Sequence, residues 1–589
     1  MKTSTEFAPI SRYALVSEEK ATGATYTPKN LADFVADQIY RAAQLAPVGG
    51  TIKVLDPATG DGELLLSLLV RIGVTNDRAI EVHGFETDLR ALGSAVARIK
   101  QRFPNVTLHL VHGSFLAFVL DVVRLHDIGG LFEKLDAPAY DLIIANPPYV
   151  RTQVLGAEQA QRLTSHFGLR GRADLYHAFL VAIAEVLKPE GMAGVIVSNR
   201  FMTTRSGGAV REAIRAQFNV RHVWDLGDTK LFDAAVLPAV LLVEKHRGKL
   251  RTAGAFTSIY ASDDEPEYQA TDAIAALNCQ GIVEIADGRR FHVTTGTLDI
   301  TTSADAVWRV ATKSGDEWLE TVEANTWKTF GDVGKVRVGV KTCADKVFIR
   351  SDWSDMPLDR QPELLRALTT HHVARRFRAR ASKKARQLLY PHQSVNGQRC
   401  AAELSTHPRT ANYLEPHRAA LESRRYLIEG GRRWYELWVP QDPAGWAAPK
   451  LVFRDISEVP TFWIDLEGTI VNGDCYWLAC KRNRDPELLW LAAAVANSSF
   501  IEAFYDRSFN NKLYAGRRRF ITQYVERFPL PDPARPCSQT IIAMAKSIYS
   551  LVDTCNTDTL QAQLDKLVWE AFGVPVKRSR GAGGSAASD

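Results

Sequence analysis

The 589-residue sequence predicts an α/β domain built on an open, largely parallel sheet, with a mixed α+β region after it. Two observations predict this. From about residue 25 to residue 245, short aliphatic runs alternate with segments at helical spacing, which implies right-handed crossovers and a sheet covered on both faces. After Lys245 the alternation ends, and short strands, an acidic patch and then strongly basic segments take over. The chain is too long for one core, so two or three domains are expected. The boundaries fall at 1–248, 249–332 (a connecting extension), 333–535 and 536–589. The last holds a C-terminal helix and a low-complexity tail, "VKRSRGAGGSAASD", expected to be disordered.

The elements of the first region follow in order. "TPKNLADFVADQIYRAAQLA" has the apolar spacing of a helix, with Pro28 near its start, where a missing N–H costs nothing. "TIKVLD" is a short buried strand, "GELLLSLLVRIG" a helix and "IEVHGFE" a second strand. "VTLHLVHG" and "YDLIIAN" are the third and fourth strands. "DLYHAFLVAIAEVLK" is a long helix that stops at Pro189-Glu190-Gly191, and "MAGVIVSN" is the next strand. "VRHVWDLG" and "AVLLVEKH" end the series as an antiparallel pair at the sheet edge.

Composition sets outer bounds. Apolar content of 46% and charged content of 24% are ordinary for a soluble globular protein, no apolar run approaches a membrane span, and "MKTSTEFAPISRY" lacks a secretory h-region. The seven cysteines are scattered and odd in number, without a Cys-x-x-Cys pair, which points to reduced thiols. A formal charge of +5 is too mild to identify a polyanionic partner, so the distribution of charge has to carry that argument.

Three motifs carry chemistry. "VLDPATGDGELL" puts Asp56, Ala58, Gly60 and Gly62 between a strand and a helix, where glycine lets the backbone approach a ligand. It has neither the P-loop lysine nor the full dinucleotide spacing, and alone it also reads as a structural turn. "VHGFETD" then places Glu86 just past the second strand, where a carboxylate accepts two hydrogen bonds from a ribose diol; a solvated acid at a strand end is the bland alternative. In "DLIIANPPYV" a buried strand ends on Asn146, held extended by Pro147 and Pro148. Outward carbonyls from such a turn grip the two hydrogens of an exocyclic amine, and Tyr149 supplies a flat face, so the turn suits a planar amino-heterocycle. A proline-stiffened turn is the structural alternative.

"DPATGDG", "GFETD", "DLIIANPPYV" and "ADLYHAFL" through "LKPEGMAGVIVSNRFM", in that order, resemble the N6-adenine DNA methyltransferases of the γ group, over roughly residues 20 to 245. A weaker likeness covers 333 to 533, where "GVKTCADKVFI" and "RFPLPDP" resemble landmarks of target-recognition domains. The resemblance implies a Rossmann-like domain using S-adenosylmethionine, a mixed α+β target-recognition domain, double-stranded DNA as substrate, a prokaryotic cytoplasm, a separate restriction endonuclease as functional partner and a monomer. It implies Asn146, Pro147, Pro148 and Tyr149 as catalytic residues. Thr27, Pro28, Asp56, Ala58, Gly60, Gly62, Glu86, Ser114 and Phe115 would line the cofactor. Ser114 stands where the family often has an acid; its hydroxyl still accepts a hydrogen bond but carries no charge. Phe232 sits where the family commonly has an aromatic against the extruded base, with core packing as the alternative. Burial accounts for Asp174 and Tyr176, and no ligand spacing suggests a metal.

Two basic runs fit phosphate contacts: Arg375, Arg376, Arg378, Arg380, Lys383, Lys384 and Arg386, then Arg517, Arg518 and Arg519. A charge run is as often a solvated face. "RSFNNKLY" adds amides and cations able to read base edges. Two other readings stay open: a methyltransferase for protein glutamine or RNA, against which the long basic C-terminal half argues, and a DNA-binding phage-defence component without turnover.

Overall fold

The computed structural model describes residues 26–575 apart from 44, 46–49, 74–77, 121–138, 150–165, 168–173, 205–206, 233–236, 247–253, 300–306, 383–384, 482–484 and 510–516. The expected disordered tail beyond residue 575 therefore lies outside the described residues. Two units divide the chain: the first ends at Thr312 and the second begins at Lys313.

The first unit is a single sheet with helices. Its strands are β1 (Ile52–Asp56), β2 (Ile80–Glu86), β3 (Thr107–His112), β4 (Tyr140–Ala145), β5 (Leu187–Ser198), β6 (Phe218–Asp225) and β7 (Pro238–Lys245). They stand in the order β3-β2-β1-β4-β5-β7-β6. β1 to β5 are parallel, and β7 runs antiparallel between β5 and β6. Alternate residues face two cores: Leu55, Ile143 and Ala145 enter one, Val54, Leu142 and Ile144 the other. Burial on both faces explains why these strands read as unbroken aliphatic runs.

Three expectations need correction. The antiparallel pair β6–β7 is not at the edge, because the sheet continues through β8 (Ala255–Ala261), β9 (Tyr268–Ala270), β10 (Gly281–Ile285), β11 (Arg290–Asp299) and β12 (Arg309–Ala311). The segment read as a connection thus completes the sheet. The helix before β5 ends at Val186, and β5 begins at Leu187; the expected break at Pro189-Glu190-Gly191 is an irregularity within the strand, where Glu190 takes φ 65°.

The helices that matter to the site are α1 (Lys29–Ala42), α2 (Glu63–Gly73), α3 (Leu89–Arg102) and α4 (Leu175–Val186). Pro28 caps α1 with φ −57° and ψ 141°, and Leu31, Ala32, Val35, Ala36 and Ile39 form its buried stripe. α3, which the motif reading passed over, is capped by Asp88, whose side chain accepts from Arg90 N and Ala91 N.

In the second unit, Gly334–Val338, Cys475–Cys480, Lys450–Arg454 and Phe462–Asp465 form an antiparallel sheet. Its core is aromatic, with Trp353, Trp446, Trp463 and Trp477 all buried. Helices Pro536–Leu551 and Asp558–Ala571 belong to this unit. All seven cysteines are free, and no single helix among the described residues is long and apolar enough to cross a membrane.

Gly194 in β5 lets α1 lie on the sheet: a Cβ there would stand 2.7 Å from Ile39 Cδ1 and 2.9 Å from Val35 Cγ1. Gly194→Val should therefore cost about 1–3 kcal/mol by overpacking, read as a lower urea midpoint with an unchanged slope.

Candidate active site

The carboxyl ends of β1, β2 and β4 lie close together, so the three motifs meet at one edge of the sheet. Asp56 ends β1 and is 0% exposed. Its Oδ1 accepts from Ala58 N at 3.0 Å; its Oδ2 is buried with no hydrogen-bond partner among the described residues. Burial, aided by the nearby Glu86 charge, pushes its pKa up to about 8.

The turn after Asp56 is built for close approach. Gly60 and Gly62 take φ 53° and 85°, conformations that favour glycine. A Cβ on Gly60 would meet nothing within 4 Å, whereas one on Gly62 would stand 3.0 Å from Ala95 Cβ in α3. Gly60 thus faces open space and Gly62 faces a helix. Glu86 joins this turn to β2: its Oε2 accepts from Gly60 N at 2.8 Å, and its Oε1 from Thr87 N at 2.7 Å and Asp88 N at 2.8 Å.

Two residues to which the motifs assign no role, Gly84 and Arg98, complete this corner. A Cβ on Gly84 would come 2.4 Å from Thr59 Oγ1, so only glycine lets the turn rest on β2. Arg98 of α3 donates to Asp61 O at 2.9 Å and Asp61 Oδ2 at 2.7 Å, and also pairs with Glu63. No local pattern marks Gly84 or Arg98, because each acts on a segment distant in sequence.

Ser114 follows β3, where Gly113 N donates to Glu86 O at 2.9 Å. Its hydroxyl accepts from Ala117 N at 3.5 Å in the first turn of the helical segment 115–120. Phe115 is a correction. Its ring is 1% exposed between Phe85 and Phe179, at centroid distances of 5.6 and 5.9 Å, so it is core and offers no open face.

Asn146 Nδ2 donates to Thr27 Oγ1 at 3.0 Å, across 119 residues of sequence. The bond orients the amide and makes Oδ1 its acceptor. Pro147 is buried, and Pro148 and Tyr149 are half-buried. The Tyr149 hydroxyl is buried with no partner among the described residues, burial raises its pKa well above the usual range, and its ring lies 6.5 Å from that of Tyr176. Phe232 is a second correction: it is 8% exposed in the core on the opposite sheet face from that lined by Tyr149. The structure does not bring those two rings together.

The basic runs are a third correction. Arg375 pairs with Asp553 and donates to Val552 O at 3.1 Å. Arg376 donates to Pro460 O at 3.2 Å and faces Glu502 at 3.9 Å. Arg378 pairs with Asp553 at 3.3 Å over the Tyr549 ring. Arg518 grips Asp506 with two bonds of 2.8 and 2.9 Å and is 12% exposed. Arg517 faces Glu458 at 3.6 Å, and Arg519 faces Asp455 at 3.1 Å. Arg518 is spent within the fold, and the other five each face a carboxylate while staying partly exposed. Arg380 and Arg386 are exposed; Lys383 and Lys384 lie outside the described residues, as do 510–514 of "RSFNNKLY".

One trio of metal-ligand type occurs among the described residues, Glu81, His83 and His109, with ligand atoms within 4.8 Å of one another. Glu81 Oε1 already bonds His83 Nε2 at 2.7 Å and Lys53 stands 3.6 Å from Oε2, so ion pairing accounts for it.

A β3-β2-β1-β4-β5-β7-β6 sheet with a glycine turn and an acid at neighbouring carboxyl ends defines an S-adenosylmethionine-dependent methyltransferase. Residues 96–232 match the Eco57I restriction-modification methylase family, and 402–530 match the TaqI-like C-terminal specificity domain. The chain is 37% identical to the type II methyltransferase M.BanIII of Aneurinibacillus aneurinilyticus, over 95% of this chain and 98% of that protein. It is 24% identical to the type II methyltransferase M.PaeR7I of Pseudomonas aeruginosa, over 91% of each. A tRNA adenine-N6-methyltransferase of Tolumonas auensis is 32% identical over 26% of this chain and 53% of its own. The type IIL restriction-modification enzyme MmeI, solved in complex with DNA, shares the fold with a TM-score of 0.58 and 13% identity, over 94% of this chain and 73% of that one. The chain belongs to the type II methyltransferases of restriction–modification systems, and it is a sequence-specific DNA methyltransferase.

S-adenosylmethionine fits what these strand ends offer. The buried, unpartnered Asp56 Oδ2 lacks a donor, which an ammonium supplies; Gly60 leaves open space; and Glu86 presents a carboxylate of the kind a ribose diol uses.

Two outcomes test the corner. Because the folded pKa of Asp56 is about 8 against an ordinary 3.8, the cofactor-free chain takes up a proton on folding between those values, and its stability should fall as pH rises through the window. Asp56→Asn should flatten that slope in urea midpoints measured across it. Thr27→Val should lower kcat about tenfold to a hundredfold by releasing the Asn146 amide, while Thr27→Ser keeps the acceptor and most of the rate.

Proposed function

We propose that this enzyme methylates N6 of adenine in duplex DNA, after drawing the base out of the helix, and so protects sites from a separate restriction endonuclease. The observation that carries this is the oriented amide of Asn146, fixed by Thr27 beside the half-buried ring of Tyr149. The printed activity of the Tolumonas relative, adenine-N6 methylation, supports the same chemistry.

An adenine amine is a poor nucleophile because its lone pair is delocalised into the ring. Asn146 Oδ1 and the Pro147 carbonyl accept its two hydrogens and favour a pyramidal nitrogen, returning the lone pair for attack. Pro147 and Pro148 hold these acceptors still, so the gain comes from orientation and fixed dipoles. Bound S-adenosylmethionine supplies an electrophilic methyl group. Thr27, Pro28, Asp56, Ala58, Gly60, Gly62, Glu86 and Ser114 hold it. An amine inside a duplex is out of reach, and extruding the base costs about a few kcal/mol. Stacking on Tyr149 offsets about 1–3 kcal/mol of that.

The first unit houses the reaction and the second recognises the target. One chain carries both functions, which supports a monomer acting on DNA inside a prokaryotic cell. The specificity-domain match at 402–530 favours DNA over protein or RNA as the substrate.

Asn146→Ala should keep S-adenosylmethionine and DNA affinity yet lose turnover by about 100-fold or more, measured as labelled methyl incorporated into duplex DNA and located on the base by nucleoside analysis. Near-wild-type turnover, or label on cytosine, would defeat the assignment.

A further inference from the structure

Six of the arginines that the sequence offers as a DNA clamp face Asp455, Glu458, Glu502, Asp506 and Asp553, and phosphate contacts from such runs would in any case not read sequence. A different element is free to read it. Strands His392–Val395 and Gln398–Ala401 form a two-stranded antiparallel ribbon that joins no other sheet. Residues 393 to 399 are all exposed, on both faces. Asn396 and Gly397 take φ 51° and 74°, the paired left-handed residues of a tight hairpin turn that matches strand twist.

An isolated hairpin is marginal in water, so this one depends on its stem. His392 is buried and its Nε2 accepts from Leu437 N at 3.1 Å. Ala402 N donates to Pro391 O at 3.0 Å, and Ala402 O accepts from Tyr435 Oη at 2.8 Å. Tyr390 Oη donates to Pro440 O at 2.7 Å and accepts from Trp446 Nε1 at 3.2 Å. A rigid base therefore carries a tip, residues 393–399, that is exposed throughout.

The tip has the chemistry of a reader. The side chains of Gln393, Ser394, Gln398 and Arg399 make no hydrogen bond or ion pair within the described residues. Register places Ser394 opposite Arg399 on one face, and Val395 opposite Gln398 on the other. Arg366 joins Gln393 and Ser394 along a groove of about 440 Å³ at the foot of the ribbon. Glu363, also in that groove, does not neutralise Arg366: its oxygens accept from Arg409 N at 3.0 Å and from Thr410 N and Oγ1 at 2.7 Å. Arg366 and Arg399 thus keep their charge for an outside partner, as do the exposed Arg380 and Arg386 of the first run.

We infer that the ribbon 392–401 enters the DNA major groove and determines sequence specificity, with Arg399 and Ser394, which share one face, on base edges and Arg366 on the adjoining phosphate. This rests on duplex DNA as the substrate. A two-stranded ribbon fits a major groove about 12 Å wide and 8.5 Å deep. Three exposed residues on the first strand reach about 10 Å, with two more on the second. Arginine pairs bidentately with guanine, and a serine hydroxyl bonds either donors or acceptors on base edges.

The test compares the full-length enzyme with the double variant Ser394→Ala/Arg399→Ala and with Arg399→Lys. Each is incubated with S-adenosylmethionine and a mixed plasmid pool, and modified bases are mapped by single-molecule sequencing. The double variant should mark a relaxed motif, its preference at one or two positions falling about tenfold or more, with cofactor affinity and thermal midpoint unchanged. Arg399→Lys, which keeps the charge and loses the fork, should relax one position without altering the salt dependence of binding. An unchanged motif in both variants overturns the inference, and so does a uniform fall in methylation with the motif intact, which marks a phosphate contact. Wild-type label on a base other than adenine would defeat the Asn146 reading alone, since the motif comparison decides the ribbon in the same data.

Discussion

The hydrogen bond from Asn146 Nδ2 to Thr27 Oγ1 is the constraint on which the reactive edge of the first unit depends. It joins the residue after β4 to the residue before the α1 cap, two segments that no local propensity would bring together. Each end is fixed by its own backbone restriction: Pro28 sets the entry to α1, and Pro147 and Pro148 set the exit from β4. α1 in turn lies on β5 at Gly194, so the Thr27 hydroxyl is placed by sheet packing and not by a flexible loop. Glu86 does the equivalent work between β1 and β2, one oxygen on the glycine turn and the other on its own backbone.

Charge tells a second story. A chain with 72 basic and 67 acidic side chains has nearly enough carboxylates to pair every cation, so the density of arginine along the sequence says little about where positive charge is displayed. Arg518 is the clear case. It stands in a three-arginine run, yet Asp506 takes both arms of its guanidinium and leaves it 12% exposed. A buried guanidinium whose partner is removed leaves an uncompensated charge, so such pairs hold the fold. Arg366 and Arg399, isolated and unremarkable in the sequence, remain available, as do the exposed Arg380 and Arg386.

How much was legible follows from this contrast. β1 to β7 can be read because a strand buried on both faces must be aliphatic throughout. The motifs at Asp56–Gly62, Glu86 and Asn146–Tyr149 can be read because glycine, proline and a lone amide at strand ends carry local meaning. The insertion of β7 between β5 and β6 and the continuation through β8–β12 cannot, since strand order is a long-range property. Phe115 and Phe232 misled for a related reason: an aromatic beside a motif fits a stacking face and a core position equally well, and only the far side of the ring decides between them. Gly84 and Arg98 were missed because their partners, Thr59 and Asp61, are distant in sequence.

The unanswered polar atoms of the first unit show where the fold gives up stability. Asp56 Oδ2, the Tyr149 hydroxyl, His177 Nε2 and Thr229 Oγ1 are all buried without a partner among the described residues. Each such group costs about 1–3 kcal/mol. They are not scattered. Asp56 ends β1, Tyr149 follows β4, Thr229 follows β6, and His177 lies in the first turn of α4, all on the carboxyl side of the sheet. A core selected for stability alone would have filled these positions with apolar side chains, as it does at Leu55, Ile143 and Val195 deeper in the same strands. Concentrating the deficit on one edge makes that edge receptive to polar ligands while the two aliphatic layers beneath keep it rigid, and an enzyme that works by orienting two reactants needs both properties at once.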